Sequence, residues 1–380
     1  MDKHRVGIIG CGGTTLGHAR AYLALGRYEV VALADLHEEA MARFDQECSI
    51  SPKHYLDGRE MLDRERLDVV SIGTWQSGHA AWTIAAAARR PQAIVCEKPM
   101  ADTLGGADQI RVACQRNGVK LIVGHQRRFL PAYTLARKLI AQGAIGEVQL
   151  VECFGADGLP NQFSHQADML RYILGDDECE WVMGNVERKT DRYERGTRIE
   201  DCGVGVFRFR SGARATVLCD MVPMLGGPEA QGGRIYGSAG MMLLSPEELH
   251  ILNEETGGVW LVHRPDGQFY THAEAGDRFE WLEGDTAQMA ELADWIEGKV
   301  ERHRGEAENG YKALEMVLAV YESARCHEKV VLPLRTRPNP LDLLVESGHL
   351  APTRPGRYDV RARLLRGELM VDDGSTGAPA

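Results

Sequence analysis

The residue with the most chemistry in prospect is Lys98, in Glu97-Lys98-Pro99 directly after the apolar run at 94–96. A continuous β-rich apolar run reads as a strand buried on both faces. Proline ends such a run because it has no N–H for the ladder. Lys98 therefore stands at the carboxyl end of a strand, where open α/β sheets bind ligands, and presents an ammonium to whatever fills the crevice. The competing reading is a solvated lysine capping the strand. A second constellation lies near the start: a short strand at 6–9, Gly10-Cys11-Gly12-Gly13-Thr14-Thr15, a helical run over 18–25, a strand over 28–34, and Asp35. Strand, glycine turn, helix, strand and acid in that order form the context of a dinucleotide fingerprint. Gly10 permits the tight turn, Gly12 lets backbone approach a pyrophosphate, Gly13 continues the turn, and the helix N-terminus offers N–H groups to the anion. Thr15 holds the third fingerprint position, normally glycine, so the helix is expected to stand slightly off the sheet. The hydroxyls of Thr14 and Thr15 are candidate phosphate donors. Asp35 would accept ribose hydroxyls and repel a 2′-phosphate. With Leu36 and His37 after it rather than Arg or Lys, NAD is favoured over NADP.

The elements that must position these groups alternate. A strand over 67–73 leads to a loop at 74–79 and an Ala-rich helix over 80–89. After the Glu97-Lys98-Pro99 strand come a helix over 104–117 and a strand over 119–124. This order predicts a doubly wound parallel sheet, an α/β fold. The loops at 10–15, 35–37, 74–79 and 97–98 all leave carboxyl ends of strands and converge on one crevice. Thr74, Gln76, His79 and Glu97 accordingly join the expected cofactor site, and Trp75 is placed to stack on nicotinamide or substrate, or simply to pack. Beyond residue 125 the pattern changes. A helix over 135–142, a strand over 147–154 and a loop at 157–161 precede a helix over 163–174, which sets His165 and Asp168 on one face. Short strands with turn signals then predict an antiparallel sheet, and amphipathic helices are expected near 289–298 and 313–324. The expected division is 1–125, 126–335 and a C-terminal extension over 336–380. In the extension, a Pro-rich linker at 336–340 precedes a short helix over 341–350 and a tail expected to be partly disordered. The extension is expected either to embrace a partner subunit, to cover the active site, or to be loosely attached.

Bulk properties narrow the function. The chain has 380 residues, 44% hydrophobic and 26% charged, enough for two domains. A net charge of −11 argues against nucleic acid or an anionic membrane as partner. No apolar run is long enough to span a bilayer. Residues 1–5 run straight into a strand, without the apolar core of a signal peptide. Nine dispersed cysteines, with no CxxC pair and no Cys/His cluster at zinc spacing, read as reduced thiols of a cytoplasmic protein that holds no metal.

Taken together these residues resemble the Gfo/Idh/MocA oxidoreductases. The resemblance runs through Gly10-Cys11-Gly12-Gly13 with His18-Ala19-Arg20-Ala21, Glu97-Lys98-Pro99, and Gly124-His125-Gln126-Arg127-Arg128-Phe129. It continues with Gly143-Ala144-Ile145-Gly146, His165-Gln166-Ala167-Asp168, Arg234-Ile235-Tyr236-Gly237 and the helix near 313–324, covering roughly residues 5–335. It implies an N-terminal Rossmann domain, then an α/β domain with a large, mostly antiparallel open sheet through which homodimers or homotetramers form. A late helix is expected to pack back on the first domain. Gln126 is counted with the cofactor site.

The resemblance also implies NAD-dependent oxidation of a secondary alcohol on a sugar, inositol-like polyol or aminosugar. Hydride removal needs the nicotinamide, and proton removal needs a nearby base. Lys98 and His165 are the family-matched catalytic pair. His165 is assigned as general base and Lys98 as alkoxide stabiliser and proton relay, roles that could be exchanged. The family usually places Asp four residues before the histidine; here that residue is Asn161, which cannot titrate. Either Asn161 only positions substrate, or Asp157 or Asp168 supplies the carboxylate. For Asp168 the alternative is a pairing with Arg171 or Arg127. Arg127 is expected to bind substrate, with Arg128 at the surface beside it. Two other functions fit the same residues: a reductase or redox-neutral enzyme that returns the hydride to its substrate, and a non-catalytic dinucleotide sensor.

Overall fold

In the computed structural model, which describes residues 3–221, 232–246, 248–263, 269–270, 281–354 and 356–361, each apolar run of the first domain becomes a strand. The elements are β1 (His4–Ile9), α1 (Gly13–Leu25), β2 (Tyr28–Ala34), α2 (Glu38–Cys48), β3 (Lys53–Tyr55) and α3 (Gly58–Arg64). They continue with β4 (Val69–Ile72), α4 (Gln76–Ala87), β5 (Ala93–Cys96), α5 (Leu104–Asn117) and β6 (Lys120–Val123). The six strands are parallel, in the order β3-β2-β1-β4-β5-β6. Strand order reverses between β1 and β4, which opens a crevice at their carboxyl ends. β4 and β5 are buried along their whole length, which is why their sequences read as unbroken apolar runs.

The second domain begins with a 3-10 turn at Gln126–Phe129, α6 (Pro131–Ala141), β7 (Val148–Gly155), a wide π-type turn at Leu159–Phe163 and α7 (Ser164–Ile173). It continues through β8 (Cys179–Glu187), β9 (Asp191–Glu194), β10 (Thr197–Arg198), β11 (Cys202–Phe209), β12 (Arg214–Cys219), β13 (Gly233–Gly237), β14 (Gly240–Leu244), β15 (Leu249–Asn253), β16 (Leu261–His263) and β17 (Phe269–Tyr270). The helices α8 (Trp281–Ile296) and α9 (Ala307–Cys326), then β18 (Val330–Val331), α10 (Pro340–Glu346) and β19 (Arg357–Asp359), complete the described chain. Ten strands form one sheet, ordered β17-β16-β15-β14-β13-β7-β12-β11-β8-β18, antiparallel except for the β7–β12 pair. Burial alternates along its central strands. Phe207, Phe209, Ala215 and Val217 join the core that includes Val317 and Val320 of α9. The opposite face carries half-buried Leu150, Phe154, Val204, Val206 and Leu218. α8 closes the back of the first domain: Met289, Leu292 and Ala293 share a core with Tyr22 and Tyr28, and the Tyr28 hydroxyl donates to the Met289 carbonyl at 2.7 Å. No helix among the described residues is long and apolar enough to cross a membrane.

Two features depart from the sequence reading. The loop expected at 157–161 ends in the π-type turn, so Asn161 sits inside a helical turn leading into α7. The hairpin β9–β10 and the extension strand β19 form a separate three-stranded sheet, with β19 parallel to β9. These strands are two to four residues long and rich in charge, so they carry no period-2 apolar signal. The helix expected at 341–350 forms over Pro340–Glu346. The tail expected to be disordered falls largely on residues 362–380, outside the described residues.

Candidate active site

The crevice between β1 and β4 is a cleft of 1010 Å³. Its floor is the glycine turn. Gly10 has φ of +90°, and a Cβ there would lie 2.8 Å from the Gly73 carbonyl group, so only glycine fits. Gly12 and Gly13 face open space. α1 starts at Gly13 with no side-chain cap on its first N–H groups, which leaves these donors for an anion. Thr14 lines the cleft, but Thr15 does not. Thr15 is fully buried, and its hydroxyl donates to the Gly10 carbonyl at 2.6 Å, with Gly12 O at 3.1 Å, so it is no phosphate donor. Nor does Thr15 push α1 off the sheet, because its methyl fills the space left by Gly73 on the facing strand end.

Asp35 lines the cleft and accepts from Cys11 N at 2.8 Å and His37 N at 3.0 Å, which ties the glycine turn to the end of β2. Each oxygen keeps further acceptor capacity. Arg43 of α2 reaches the same rim, 3.8 Å from Glu47, a cation that the residues following Asp35 in sequence did not announce. On the far wall, His79 joins two loops: its ring nitrogens lie 2.8 Å from the Pro99 carbonyl and 2.9 Å from that of Thr74. Thr74, Trp75 and Gln76 line the wall between them.

Lys98 stands where the domains meet. Its Nζ donates to Asn161 Oδ1 at 2.9 Å and to the Asn161 carbonyl at 3.2 Å. With Oδ1 engaged, the Asn161 amide has its N–H groups to offer into the cleft that it lines. Burial lowers the Lys98 pKa to about 8; Glu97 and Glu194 oppose that shift, while Arg195 and Arg127 add to it. Glu97 beneath it is buried and lies 3.0 Å from His18 Nε2. Burial disfavours the Glu97 carboxylate, but His18, Lys98 and His79 outweigh it and hold the group below its usual range. The turn that delivers Asn161 is clamped from below. Glu200 accepts from Leu159 N at 2.6 Å and from the Tyr321 hydroxyl, and Asp220 accepts from Asp157 N and Gly158 N at 3.0 and 2.9 Å. Glu200, Cys219 and Asp220 bring potential ligand atoms within 4.8 Å of one another, but the carboxylates are committed to this clamp.

His165 follows one turn after Asn161 and is 7% exposed. It lies edge-on to His125, with centroids 5.8 Å apart, and its Nδ1 finds no hydrogen-bond partner among the described residues. Burial, then Arg127, Lys98 and His125, hold its pKa well below the ordinary imidazole value. His165, Gln126, Arg127 and Asp168 are not among the described residues that line the cleft. Arg127 donates to Gln162 Oε1 at 3.0 Å behind it.

Arg127 and Arg128 are both buried, contrary to the expected surface place of Arg128. Arg128 is 1% exposed rather than at the surface, and its Nε donates to both Asp168 oxygens at 2.8 and 2.7 Å. Asp168 is thus spent on Arg128, not on Arg171, Arg127 or a substrate. Asp157 is paired with Arg361. Neither candidate carboxylate reaches the cleft. Besides Asp35 and Glu97, the cleft is lined by the carboxylate of Glu194, with Arg195 beside it, from the β9–β10 hairpin.

Comparison with known proteins adds two family matches. An oxidoreductase family model described as an NAD-binding Rossmann fold (GFO_IDH_MocA) matches residues 4–125, and its C-terminal alpha/beta domain model matches 157–332. The chain is 30% identical over 234 residues to a D-apiose dehydrogenase of Paraburkholderia graminis, covering 58% of this chain and 61% of that protein. It is 26% identical over 230 residues to an inositol 2-dehydrogenase of Burkholderia multivorans, covering 56% and 66%. The chain thus spans less than two thirds of either relative. In fold it is similar to an inositol dehydrogenase homolog from Azotobacter vinelandii, solved with NADH and myo-inositol. That match has a TM-score of 0.73 and 20% identity, and covers 87% of this chain and 98% of that one.

Proposed function

Because the chain belongs to the Gfo/Idh/MocA oxidoreductase family, with its NAD-binding Rossmann and C-terminal α/β domains, we propose that it is an NAD-dependent dehydrogenase. Its substrate is a secondary alcohol of a sugar or inositol-like polyol, oxidised to the ketone. The observation that carries this reading is Lys98 of the first domain bonded to Asn161 of the second, at the mouth of the glycine-floored cleft. The names of the D-apiose and inositol dehydrogenases agree with it. The N-terminus of α1, Gly12, Gly13 and Thr14 would hold the NAD pyrophosphate, and Asp35 a ribose. When bound, NAD supplies the acceptor for the hydride leaving the carbinol carbon.

The alcohol proton is left to the chain. Lys98, titrating at about 8, is the neutral amine in about one molecule in ten at pH 7. In that form it accepts the proton from the alcohol oxygen and becomes an ammonium beside Asn161 Oδ1. The Asn161 amide donates to a substrate oxygen and orients it. His165, whose imidazole is held neutral, is a weak proton acceptor at this pH. This exchanges the roles of Lys98 and His165 relative to the sequence reading. The apolar, half-buried face of the ten-stranded sheet favours pairing with a second copy of the chain. Nine thiols outside any disulfide favour a reducing compartment such as the cytoplasm.

Three results are expected. NADH should appear when the protein is given NAD and members of a panel of sugars and cyclic polyols. Log kcat/KM for oxidation should rise with unit slope as pH increases, then level off near 8 as Lys98 becomes neutral. NAD binding without turnover on any alcohol would favour the sensor. Asp35→Asn should lower the preference for NAD over NADP by about tenfold or more, measured as the ratio of the two kcat/KM values. It removes a repulsive charge and leaves Arg43 on the same rim to meet a 2′-phosphate.

A further inference from the structure

The β9–β10 hairpin brings a carboxylate to the cleft, where Asn161 carries none. β9 and β10 are joined by Arg195 and Gly196, with φ of 47° and 76°, a tight turn of the kind that two left-handed residues form. Glu194 is the last residue before that turn. It is 3% exposed and lines the cleft together with Lys98, Asn161 and Arg195. Its Oε1 accepts no hydrogen bond from the described residues; the charges nearest to it are Arg195 Nε at 3.4 Å and Arg361 Nε at 3.9 Å. A carboxylate so buried carries a cost unless a donor reaches it.

The C-terminal extension holds this residue in place. β19 pairs with β9 from Arg357↔Asp191 to Asp359↔Tyr193. The Asp359 carboxylate accepts from Arg195 N at 3.2 Å and Gly196 N at 2.9 Å, which secures the turn itself. Arg361 bridges to Asp157, beside the turn that carries Asn161. Arg198 pairs with Asp342 of α10 at 3.0 Å. The segment that runs beyond the family match at 332 therefore fixes the position of one cleft residue.

We infer that Glu194 is the substrate-facing carboxylate of this site, accepting hydrogen bonds from substrate hydroxyls opposite Lys98, with β19 as its positioning element. The inference rests on the dehydrogenase reading for what the cleft receives. A polyhydroxylated substrate supplies the O–H donors that Glu194 lacks, and the Asn161 amide and Lys98 address the oxygen being oxidised. Glu194 also sets the charge balance at Lys98. Of the charged groups around that amine, Glu97 and Glu194 favour the ammonium, and Arg195 and Arg127 oppose it. Around Glu194, burial and Asp359 favour the neutral acid, while Arg195, Lys98 and Arg361 favour the carboxylate.

The test uses the full chain without cofactor or substrate, followed by kinetics. The reactivity of the Lys98 amine is measured against pH by competitive acetylation with acetic anhydride and peptide mass spectrometry. Glu194→Gln should move the Lys98 midpoint down by about one pH unit, and Asn161→Asp added to it should bring the midpoint back up. Glu194→Asp, which keeps the charge, should leave the midpoint in place. On an alcohol that the wild type oxidises, Glu194→Gln should raise KM about tenfold while NADH affinity, read by fluorescence, is unchanged. An unmoved Lys98 midpoint with an unchanged KM would overturn the assignment of Glu194. If the wild type oxidises no alcohol, the dehydrogenase reading fails, and the acetylation profile alone still decides whether Glu194 governs Lys98.

Discussion

Lys98→Met is expected to lower kcat for alcohol oxidation by about 10³-fold, with NADH affinity kept within a factor of about two. Met fills the volume of the lysine stem without a titratable group, so the cleft keeps its shape and loses its proton acceptor. The backbone N–H of residue 98, which donates to Glu97 Oε2 at 3.2 Å, survives the change, so the floor under the site is preserved. The pH profile should change along with the rate. The limb that levels off near pH 8 belongs to the amine, and the residual activity of the variant should lack it. Lys98→Arg separates base from simple electrostatic stabiliser. A guanidinium keeps the positive charge but does not give up its proton near neutrality, so the account expects Arg to be about as inactive as Met. Steady-state rates across pH for the three proteins make the comparison.

Asp168→Ala should cost about 3–5 kcal/mol of stability, read as a drop in the urea midpoint. Asp168 and Arg128 are each 1% exposed, and the guanidinium Nε reaches both carboxylate oxygens within 2.8 Å. Removing the acid strands a buried cation, whose remaining ion pair is with the partly exposed Asp176 at 2.6 Å. The loss is one of unpaired charge more than of a contact. Replacing both residues, Arg128→Met with Asp168→Leu, should therefore recover most of the stability. If the single variant were nearly neutral, the pair would not be holding the Gln126–Phe129 turn against α7. That junction also supports His125 and His165, so the single variant should lower kcat as well.

The Rossmann half was open to reading because its strands are buried on both faces and its ligand loops all leave one edge of the sheet. Continuous apolar runs, a glycine turn and Glu97-Lys98-Pro99 mark the cleft in the sequence itself. Adjacent arginines were not readable in the same way. Arg127 and Arg128 are the same residue type one position apart, and only the packing of α7 and α8 decides which is spent on Asp168. Thr15 reads as a residue that would lift α1 off the sheet because the space that receives its methyl lies at Gly73, almost sixty positions away in sequence. The carboxylates nearest to Asn161 in sequence, at 157 and 168, are spent on Arg361 and Arg128. Glu194 carries no signal in the sequence because it comes from a four-residue polar strand, paired with the two-residue β10 on one side and with β19 of the distant extension on the other. Short charged strands joined over such a distance leave no periodic trace.

On the proposed mechanism, the cleft removes a hydride from a carbinol carbon while Lys98 takes the hydroxyl proton. The most direct measurement gives the protein NAD and a sugar or cyclic polyol deuterated at its carbinol carbons, and analyses the nicotinamide product by mass spectrometry. The account predicts NADH carrying one deuterium, a slowed rate relative to the unlabelled alcohol, and almost no labelled product from Lys98→Met. Unlabelled NADH, or equal labelling by wild type and Lys98→Met, would contradict it.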